Sequence, residues 1–239
     1  FFQLISYAYA LFVTGSVAKE KPMKLVLCFS DEQKFNLLRS DETDEGYVPQ
    51  NTETAVGYDI ADSKEFFQTH THGLYPNNIN TDPTKQLANG IAKLGEKIIL
   101  LINKHLPKEI SQTMAQPLDV MIDDSDRHGF RVIHYPPINE KSHKPRAEAH
   151  GDICLLTLLP SATARGLEIQ DSRGKWHMPK VDDKSVIVFN ADMLEICTNG
   201  FLKSAMHRVT SELSSENQQA RYSFPTFIHP KRNSQLNHS

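Results

Sequence analysis

Hydrophobic and polar positions follow a helical period between residues 83 and 106. Apolar side chains recur there at alternating spacings of four and three, which places them in one stripe along an α-helix. The stripe consists of Leu87, Ile91, Leu94, Ile98 and Leu101, continued by His105. Asp82 is placed to cap this helix, Pro83 suits its first turn and Pro107 ends it. The pattern predicts one long helix over 83–106.

After residue 128 the pattern changes to short apolar or alternating runs separated by turn residues. The runs cover 130–135, 152–159, 166–170, 175–179, 185–190, 203–210 and 221–228. Many short strands at this spacing are typical of a sandwich, a barrel or a jelly roll. We therefore predict an α+β, mainly-β fold in which N-terminal helices precede an antiparallel double sheet.

The chain is predicted to be a single domain over 1–239, because no repeat, low-complexity tract or flexible linker divides it. Residues 1–127 form a divergent N-terminal region of helices and strands, 128–230 the sheet core and 231–239 a tail. The first 13 residues are apolar but too short to span a bilayer, and no basic flank marks a signal peptide. Since no initiator Met is present, we expect the N-terminal region to be truncated.

Composition and charge exclude several function classes. A net charge of -3 and a pI near 6.4 give no basic surface for nucleic acid or an anionic membrane. Three widely spaced cysteines, with no C-x-x-C, argue against a disulfide framework and favour a reducing, cytoplasmic location. The expected partner is a small-molecule substrate; the sequence carries no indication of oligomeric state.

Three residues are candidates for a metal site. His150 and Asp152 form the one His-x-acid pair in the chain and stand just before an apolar run. In an extended segment, residues two apart project from the same face and can reach one ion. A third candidate, His207, shares a strand face with Ala205 and Val209. A lone His on an apolar face is more often a hydrogen-bonded core residue, so spacing alone leaves its role open.

Two other clusters of polar residues are assigned to solvated loops. His70 and His72 have metal-binding spacing, but their segment, THTHG, is polar and has no neighbouring carboxylate. The segment 141–146 holds His143 among basic residues that include Arg146, and a solvated basic loop is the preferred interpretation there as well.

Five segments in order resemble the iron- and 2-oxoglutarate-dependent dioxygenases, in the branch typified by isopenicillin N synthase. The resemblance covers Phe130 to Pro230, about 100 residues of the chain. The segments are FRVIHYPP, AHGDICLLTLLP, GLEIQDSRGKWHMP, TNGFLKSAMHRV and RYSFPTFIHP. Agreement of order and spacing over five segments is more specific than any single motif.

The resemblance implies a double-stranded β-helix (jelly roll) and an enzyme that uses Fe(II), 2-oxoglutarate and O2. Such an enzyme hydroxylates or desaturates a small molecule and releases succinate and CO2. Two His and one carboxylate leave open iron positions for co-substrate and oxygen. The implied metal ligands are His150, Asp152 and His207, and the implied co-substrate residues are Arg221, Ser223 and Tyr135.

The sequence departs from this branch at two points. Ile133 stands where the branch usually has Asn, and His134 replaces a Tyr. The interval from His207 to Arg221 is also longer than usual, which predicts a surface loop. Two alternatives stay open: an Fe(II)-dependent oxidase that does not use 2-oxoglutarate, and a catalytically silent jelly roll that binds a ligand.

Overall fold

The computed structural model describes residues 13–14, 29–76, 81–138, 146–180, 182, 185–210 and 219–237. Two antiparallel sheets lie face to face, and a long helix packs on the outer face of the larger sheet. This arrangement is the predicted mainly-β double-stranded β-helix with flanking helices. The apolar residues between the sheets form two clusters, and those between the larger sheet and the helices form two more.

The described elements are five helices and twelve strands. The helices are α1 (Asp31–Phe35), α2 (Asp82–His105), α3 (Lys108–Ser111), α4 (Leu118–Ile122) and α5 (Asp192–Cys197). The strands are β1 (Val13–Thr14), β2 (Gly46–Val48), β3 (Glu65–His70), β4 (Gly129–Tyr135), β5 (Ala147–His150), β6 (Leu156–Pro160), β7 (Leu167–Gln170), β8 (Trp176–His177), β9 (Ser185–Asn190), β10 (His207–Val209), β11 (Arg221–Ser223) and β12 (Thr226–Ile228). The larger sheet has the order β1-β9-β6-β12-β4-β3-β2, with β11 also paired to β4, and the smaller sheet has the order β5-β10-β7-β8.

The predicted strands exist, but several of their boundaries were wrong: the runs 203–210 and 175–179, for example, are strands only over His207–Val209 and Trp176–His177. The run 152–159 becomes a strand only at Leu156, because the chain must first cross from the smaller sheet to the larger one. The run 221–228 is two strands, β11 and β12, and Pro225, between them, accepts a hydrogen bond from the backbone of β4 instead of continuing a ladder.

Successive side chains of strand β4 face in opposite directions, toward the cavity between the sheets and toward the helical layer. Arg131, Ile133 and Tyr135 face the cavity between the sheets. Phe130 and Val132 face the other way and pack with the helical layer. A period of two therefore places every second residue of β4 at the site.

Helix α2 confirms the predicted helix, but two details of the prediction were wrong. Thr81, not Asp82, is the N-cap residue, and Asp82 is the first residue of the helix. Leu101 is 48% exposed and His105 is also exposed, because the contact face is centred on small residues. The buried residues of the helix are Thr84, Ala88, Ile91, Ala92, Gly95, Ile98, Ile99 and Ile102. The predicted stripe is off-centre relative to the buried face because it consists of large apolar residues and omits the small ones.

Gly95→Ala should destabilise the protein, because a Cβ at this position would lie 2.4 Å from Cγ1 of the buried Ile228. Overpacking of this kind costs about 1–3 kcal/mol, partly offset by the better helix propensity of Ala. Gly90→Ala, in the same helix with nothing within 4 Å, is the matched control. It should raise the free energy of unfolding by up to ~1 kcal/mol. Urea denaturation measures the free energy of unfolding of both variants. If both were more stable than wild type, the close packing at Gly95 would be contradicted.

Several expectations fall outside the described residues. They concern the apolar residues before position 13, the segment 141–145 and most of the long interval after His207, residues 211–218. Within the described part of the chain, no helix is long and apolar enough to cross a membrane.

Candidate metal and co-substrate site

The structure brings the three predicted metal ligands together. His150 ends β5, His207 begins β10, and the two residues pair directly across these antiparallel strands. Their ring centroids lie 4.4 Å apart. Asp152 follows in the connection to β6, and one ligand atom of each residue lies within 4.8 Å of the others.

Backbone carbonyls orient both imidazoles toward the same point. Nδ1 of His150 lies 2.6 Å from the carbonyl oxygen of Glu148, and Nδ1 of His207 lies 3.0 Å from that of Ala205. A carbonyl can only accept, so each Nδ1–H donates and each Nε2 keeps its lone pair. The Nε2 atoms are 3.9 and 3.7 Å from the two oxygens of Asp152, too long for hydrogen bonds. The donor set therefore fits a metal ion held between the three side chains.

Neighbouring side chains fix the protonation and the position of these ligands. Burial raises the pKa of Asp152, but the His207 and His150 rings and a 2.6 Å hydrogen bond from Thr157 outweigh it and keep the net pKa below its usual range. Burial and the adjacent His207 lower the pKa of His150, which favours the neutral imidazole. Phe189 stacks on His207 at 4.8 Å. An ionised carboxylate and neutral imidazoles are the forms that bind a divalent metal.

The competing pair, His70 and His72, is not part of a three-ligand cluster among the described residues. Among the described residues, the group of His150, Asp152 and His207 is the one cluster of three ligand-type side chains close enough to hold an ion. The interpretation of this segment as a solvated loop was nevertheless wrong for His70, which ends β3 and lies 3.2 Å through Nε2 from the carbonyl of Thr43. His72 is exposed.

Arg221 is a buried cation without a carboxylate partner among the described residues. Its side chain is 2% exposed, Nε donates to the carbonyl of Ala164 at 3.2 Å, and the guanidinium lies 5.0 Å from the ring centroid of Tyr135. Its Nη1 is buried and has no hydrogen-bond partner there. A permanent buried charge is costly unless it is paired. The side chain therefore fits an anionic ligand such as the distal carboxylate of 2-oxoglutarate.

The metal ligands and Arg221 line the same cavity. It has a volume of about 50 Å³ and also contains the buried hydroxyl of Ser223, which lies on the same face of β11 as Arg221. An open cleft of about 570 Å³ leads to this cavity, and His150 and Asp152 line both spaces. The small cavity beside Arg221 thus opens into a larger cleft at the three predicted metal ligands.

The two departures from the family pattern have different consequences. Ile133 lines the cavity, so this part of its wall is apolar. His134 points to the opposite side of β4, where its Nδ1 lies 2.8 Å from Oε1 of Glu65 and its ring stacks on Tyr222. The His134 replacement therefore leaves the site unchanged and belongs to a buried network behind it.

Sequence reasoning misplaced one arginine and missed other residues of the site. Arg146, assigned to a solvated basic loop, is 1% exposed, and its Nη2 donates to the carbonyls of Pro136 and Gln219. Lys64 and Arg131 line both the cavity and the cleft. The alternation of β4 could have identified Arg131, two residues before Ile133. No local signal marks Lys64.

The comparisons with known proteins agree with this geometry. The family model of the 2OG-Fe(II) oxygenase superfamily matches residues 127–230. Gibberellin 2-beta-dioxygenase 3 of Arabidopsis thaliana is 31% identical over 124 residues, and 1-aminocyclopropane-1-carboxylate oxidase of Dendrobium crumenatum is 27% identical over 212 residues. A crystal structure of a protein from Shewanella oneidensis, assigned as an oxygenase, superposes with a TM-score of 0.81 at 25% identity and covers 100% of this chain and 88% of that one.

Residues 127–230 therefore belong to the 2OG-Fe(II) oxygenase superfamily. The matches cover 50% of this chain and 35% of the gibberellin enzyme, and 83% of this chain and 61% of the oxidase. The chain thus spans less than two thirds of the length of these relatives.

Proposed function

We propose that this protein is an Fe(II)- and 2-oxoglutarate-dependent dioxygenase that hydroxylates or desaturates a small molecule and releases succinate and CO2. The observation that carries the proposal is the pairing of two features in one cavity. Two imidazole Nε2 atoms and a carboxylate converge on one point, and a buried arginine without a carboxylate partner among the described residues lies on the same wall.

The residues of the chain have distinct roles in this proposal. His150, Asp152 and His207 hold the iron, and both imidazoles present Nε2 to it because Nδ1 of each faces a backbone carbonyl. When bound, Fe(II) and 2-oxoglutarate together supply the capacity to activate O2 for oxidation of the substrate. The protein contributes the orientation of the ligands and the shape of the cavity.

The co-substrate subsite is built from β11 and β4. Arg221 binds the distal carboxylate through its free donors, and Ser223, paired with Ile133 across the strands, adds a hydroxyl. Tyr135 lies directly opposite Arg221 and hydrogen-bonds its guanidinium, so Tyr135 positions the arginine. The apolar walls, including Ile133 and Leu159, exclude water and strengthen these charged contacts.

The direct test is succinate formation by purified protein with Fe(II), 2-oxoglutarate and O2. Ascorbate is added as the reductant that takes the place of the primary substrate, so the assay does not require the identity of that substrate. We expect succinate and CO2 in equal amounts, and none when either iron or 2-oxoglutarate is omitted. Iron-loaded, folded protein that releases no succinate would contradict the proposal.

Arg221→Lys should raise the KM for 2-oxoglutarate about tenfold or more, with a smaller change in kcat. Lysine keeps the charge but loses the planar pair of donors that matches a carboxylate. Arg173→Lys, at a side chain that is 85% exposed, is the control and should leave the KM unchanged. Initial-rate kinetics at varied 2-oxoglutarate separate the two parameters. An unchanged KM in the Arg221 variant would remove this residue from the subsite.

A second candidate function is an Fe(II)-dependent oxidase that does not consume 2-oxoglutarate. The match to 1-aminocyclopropane-1-carboxylate oxidase favours it, because that match covers 83% of this chain. In such an enzyme the same metal ligands would serve, and Arg221 would bind another carboxylate. Binding of 2-oxoglutarate to the iron-loaded protein distinguishes the two functions.

A further inference from the structure

Two cationic side chains lie where the cavity lined by Arg221 and the predicted metal ligands opens into the larger cleft. Lys64 and Arg131 line both spaces, together with His150, Asp152 and Phe227. Lys64 is 7% exposed, and the Arg131 side chain is 21% exposed. A substrate that approaches the metal ligands from the cleft therefore passes these two side chains.

Both cations are fixed in place by contacts on the protein side. Nζ of Lys64 lies 2.8 Å from Oδ2 of Asp62. Arg131 donates through Nε to Gln68, and its guanidinium stacks on Phe66 at 4.3 Å and lies 5.3 Å from the ring centroid of Phe227. These contacts would hold the cations at the cleft even if their other partner moved away.

That other partner is Glu53, which joins the two cations. Its Oε2 lies 2.7 Å from Nζ of Lys64, and its Oε1 accepts from Nη1 of Arg131 at 3.4 Å. Burial raises the pKa of Glu53, but Arg131 and Lys64 outweigh it and lower the pKa to about 2. Glu53 is therefore an ionised carboxylate held by two cations beside the metal ligands.

Glu53 lies near the base of a loop whose outer part is open to solvent. The loop closes through hydrogen bonds from Asn51 N to the Asp62 carbonyl and from Asp62 N to the Glu53 carbonyl. Residues 56–60 between these contacts are all exposed. Glu53 therefore carries its carboxylate from the base of a loop whose outer residues are exposed.

The cations have donors to spare, whereas the neighbouring acids are already occupied. An ammonium has three donors and a guanidinium five, and the hydrogen bonds and ion pairs above use two of each. Both oxygens of Glu53 contact a cation. Asp62 contacts Lys64 with one oxygen and accepts from the backbone of Glu148 with the other. Among the described residues, these contacts leave unused donors on both cations, and each oxygen of Glu53 and Asp62 already faces a cation or a backbone N–H.

We propose that the primary substrate is a carboxylic acid whose carboxylate binds Lys64 and Arg131 in competition with Glu53. This inference rests on the proposed function, since it names the substrate class of that site. An amine would bring a third positive charge next to Lys64 and Arg131, and like-charge repulsion disfavours that. Glu53 then acts as an internal competitor that occupies the subsite until the substrate arrives.

The test is a binding measurement without turnover. Phenylacetate and phenylacetamide share a skeleton and differ in charge, and ligand-observed NMR gives the dissociation constant of each for protein loaded with Zn²⁺ in place of iron, because Zn²⁺ is redox-inert and does not support turnover. An excess of 2-oxoglutarate is present so that Arg221 is occupied. Glu53→Gln should bind phenylacetate about tenfold more tightly than wild type, with phenylacetamide unchanged. Asp59→Asn, which removes an exposed charge from the same loop, is the matched control and should change neither constant.

Two further measurements complete the test. Arg131→Gln should abolish the preference for the acid over the amide, and circular dichroism checks that this variant folds. Equal binding of acid and amide by wild type, or weaker phenylacetate binding by Glu53→Gln, would overturn the inference. Failure of the proposed function gives a different signal in the same spectra, because the 2-oxoglutarate resonances would then show no binding.

Discussion

Alanine at position 207 is expected to abolish 2-oxoglutarate turnover completely. His207 supplies one of three ligand atoms, and its Nε2 is held toward Asp152 by the carbonyl of Ala205. Removal leaves one imidazole and one carboxylate, which is too few to keep Fe(II) in a protein site against its hydration. Succinate formation with added Fe(II) measures the loss, and the iron content of the purified variant should fall in parallel.

A matched histidine controls for the substitution itself. His177 lies on β8 of the same small sheet, its side chain is 49% exposed, and its contact is with Asp171. His177→Ala should keep wild-type activity and iron content. Folding of both variants is checked by thermal denaturation. If the folded His207 variant still produced succinate, His207 would not be an iron ligand.

Glu65→Ala is expected to cause the largest loss of stability of any single change considered. Glu65 is 5% exposed and accepts hydrogen bonds from Lys34 at 3.0 Å, Tyr47 at 2.5 Å and His134 at 2.8 Å. Its removal would leave the buried ammonium of Lys34 without this carboxylate. Breaking a buried ion pair in this way costs about 3–5 kcal/mol. Urea denaturation at neutral pH measures the difference.

The same carboxylate should make stability depend on pH in the acid range. Burial raises the pKa of Glu65, but hydrogen bonds from His134, Tyr47 and Lys34 outweigh it and lower the pKa from 4.5 to about 2. A carboxyl group whose pKa is lowered in the folded state stabilises the protein at pH values above its ordinary pKa. That stabilisation is lost as the pH falls through the folded-state pKa. The stability difference between wild type and Glu65→Gln should therefore shrink from about pH 4.5 toward pH 2. A difference that stays constant as the pH falls through this range would show that Glu65 is not ionised in the network.

Part of the candidate site could be predicted from local signals, whereas His207 was assigned through the resemblance. His150 and Asp152 are two residues apart beside an apolar run, and Arg221 and Ser223 share a strand face. Whether these residues come together in one site depends on which strands pair, and the expected pairing came from the family resemblance. The pairing of His150 with His207 across β5 and β10 is a long-range fact that alternation alone does not contain.

The features that sequence did not predict depend on contacts far apart in the chain. Arg146 is surrounded by basic and polar residues in sequence, yet it is buried because it ties together the carbonyls of Pro136 and Gln219. Lys64 lies at the site because β3 pairs with β4, a partner about 65 residues away. Helix α2 packs on the sheet through the face that contains Gly95, because small residues allow a close approach.

Anaerobic titration of the Fe(II)-loaded protein with 2-oxoglutarate tests the central claim most directly. If the metal ligands and Arg221 form one co-substrate site, a metal-to-ligand charge-transfer band in the visible range should appear and saturate. The band should also require a much higher 2-oxoglutarate concentration in Arg221→Lys. Iron-loaded protein that shows no band at any concentration of 2-oxoglutarate would contradict the assignment.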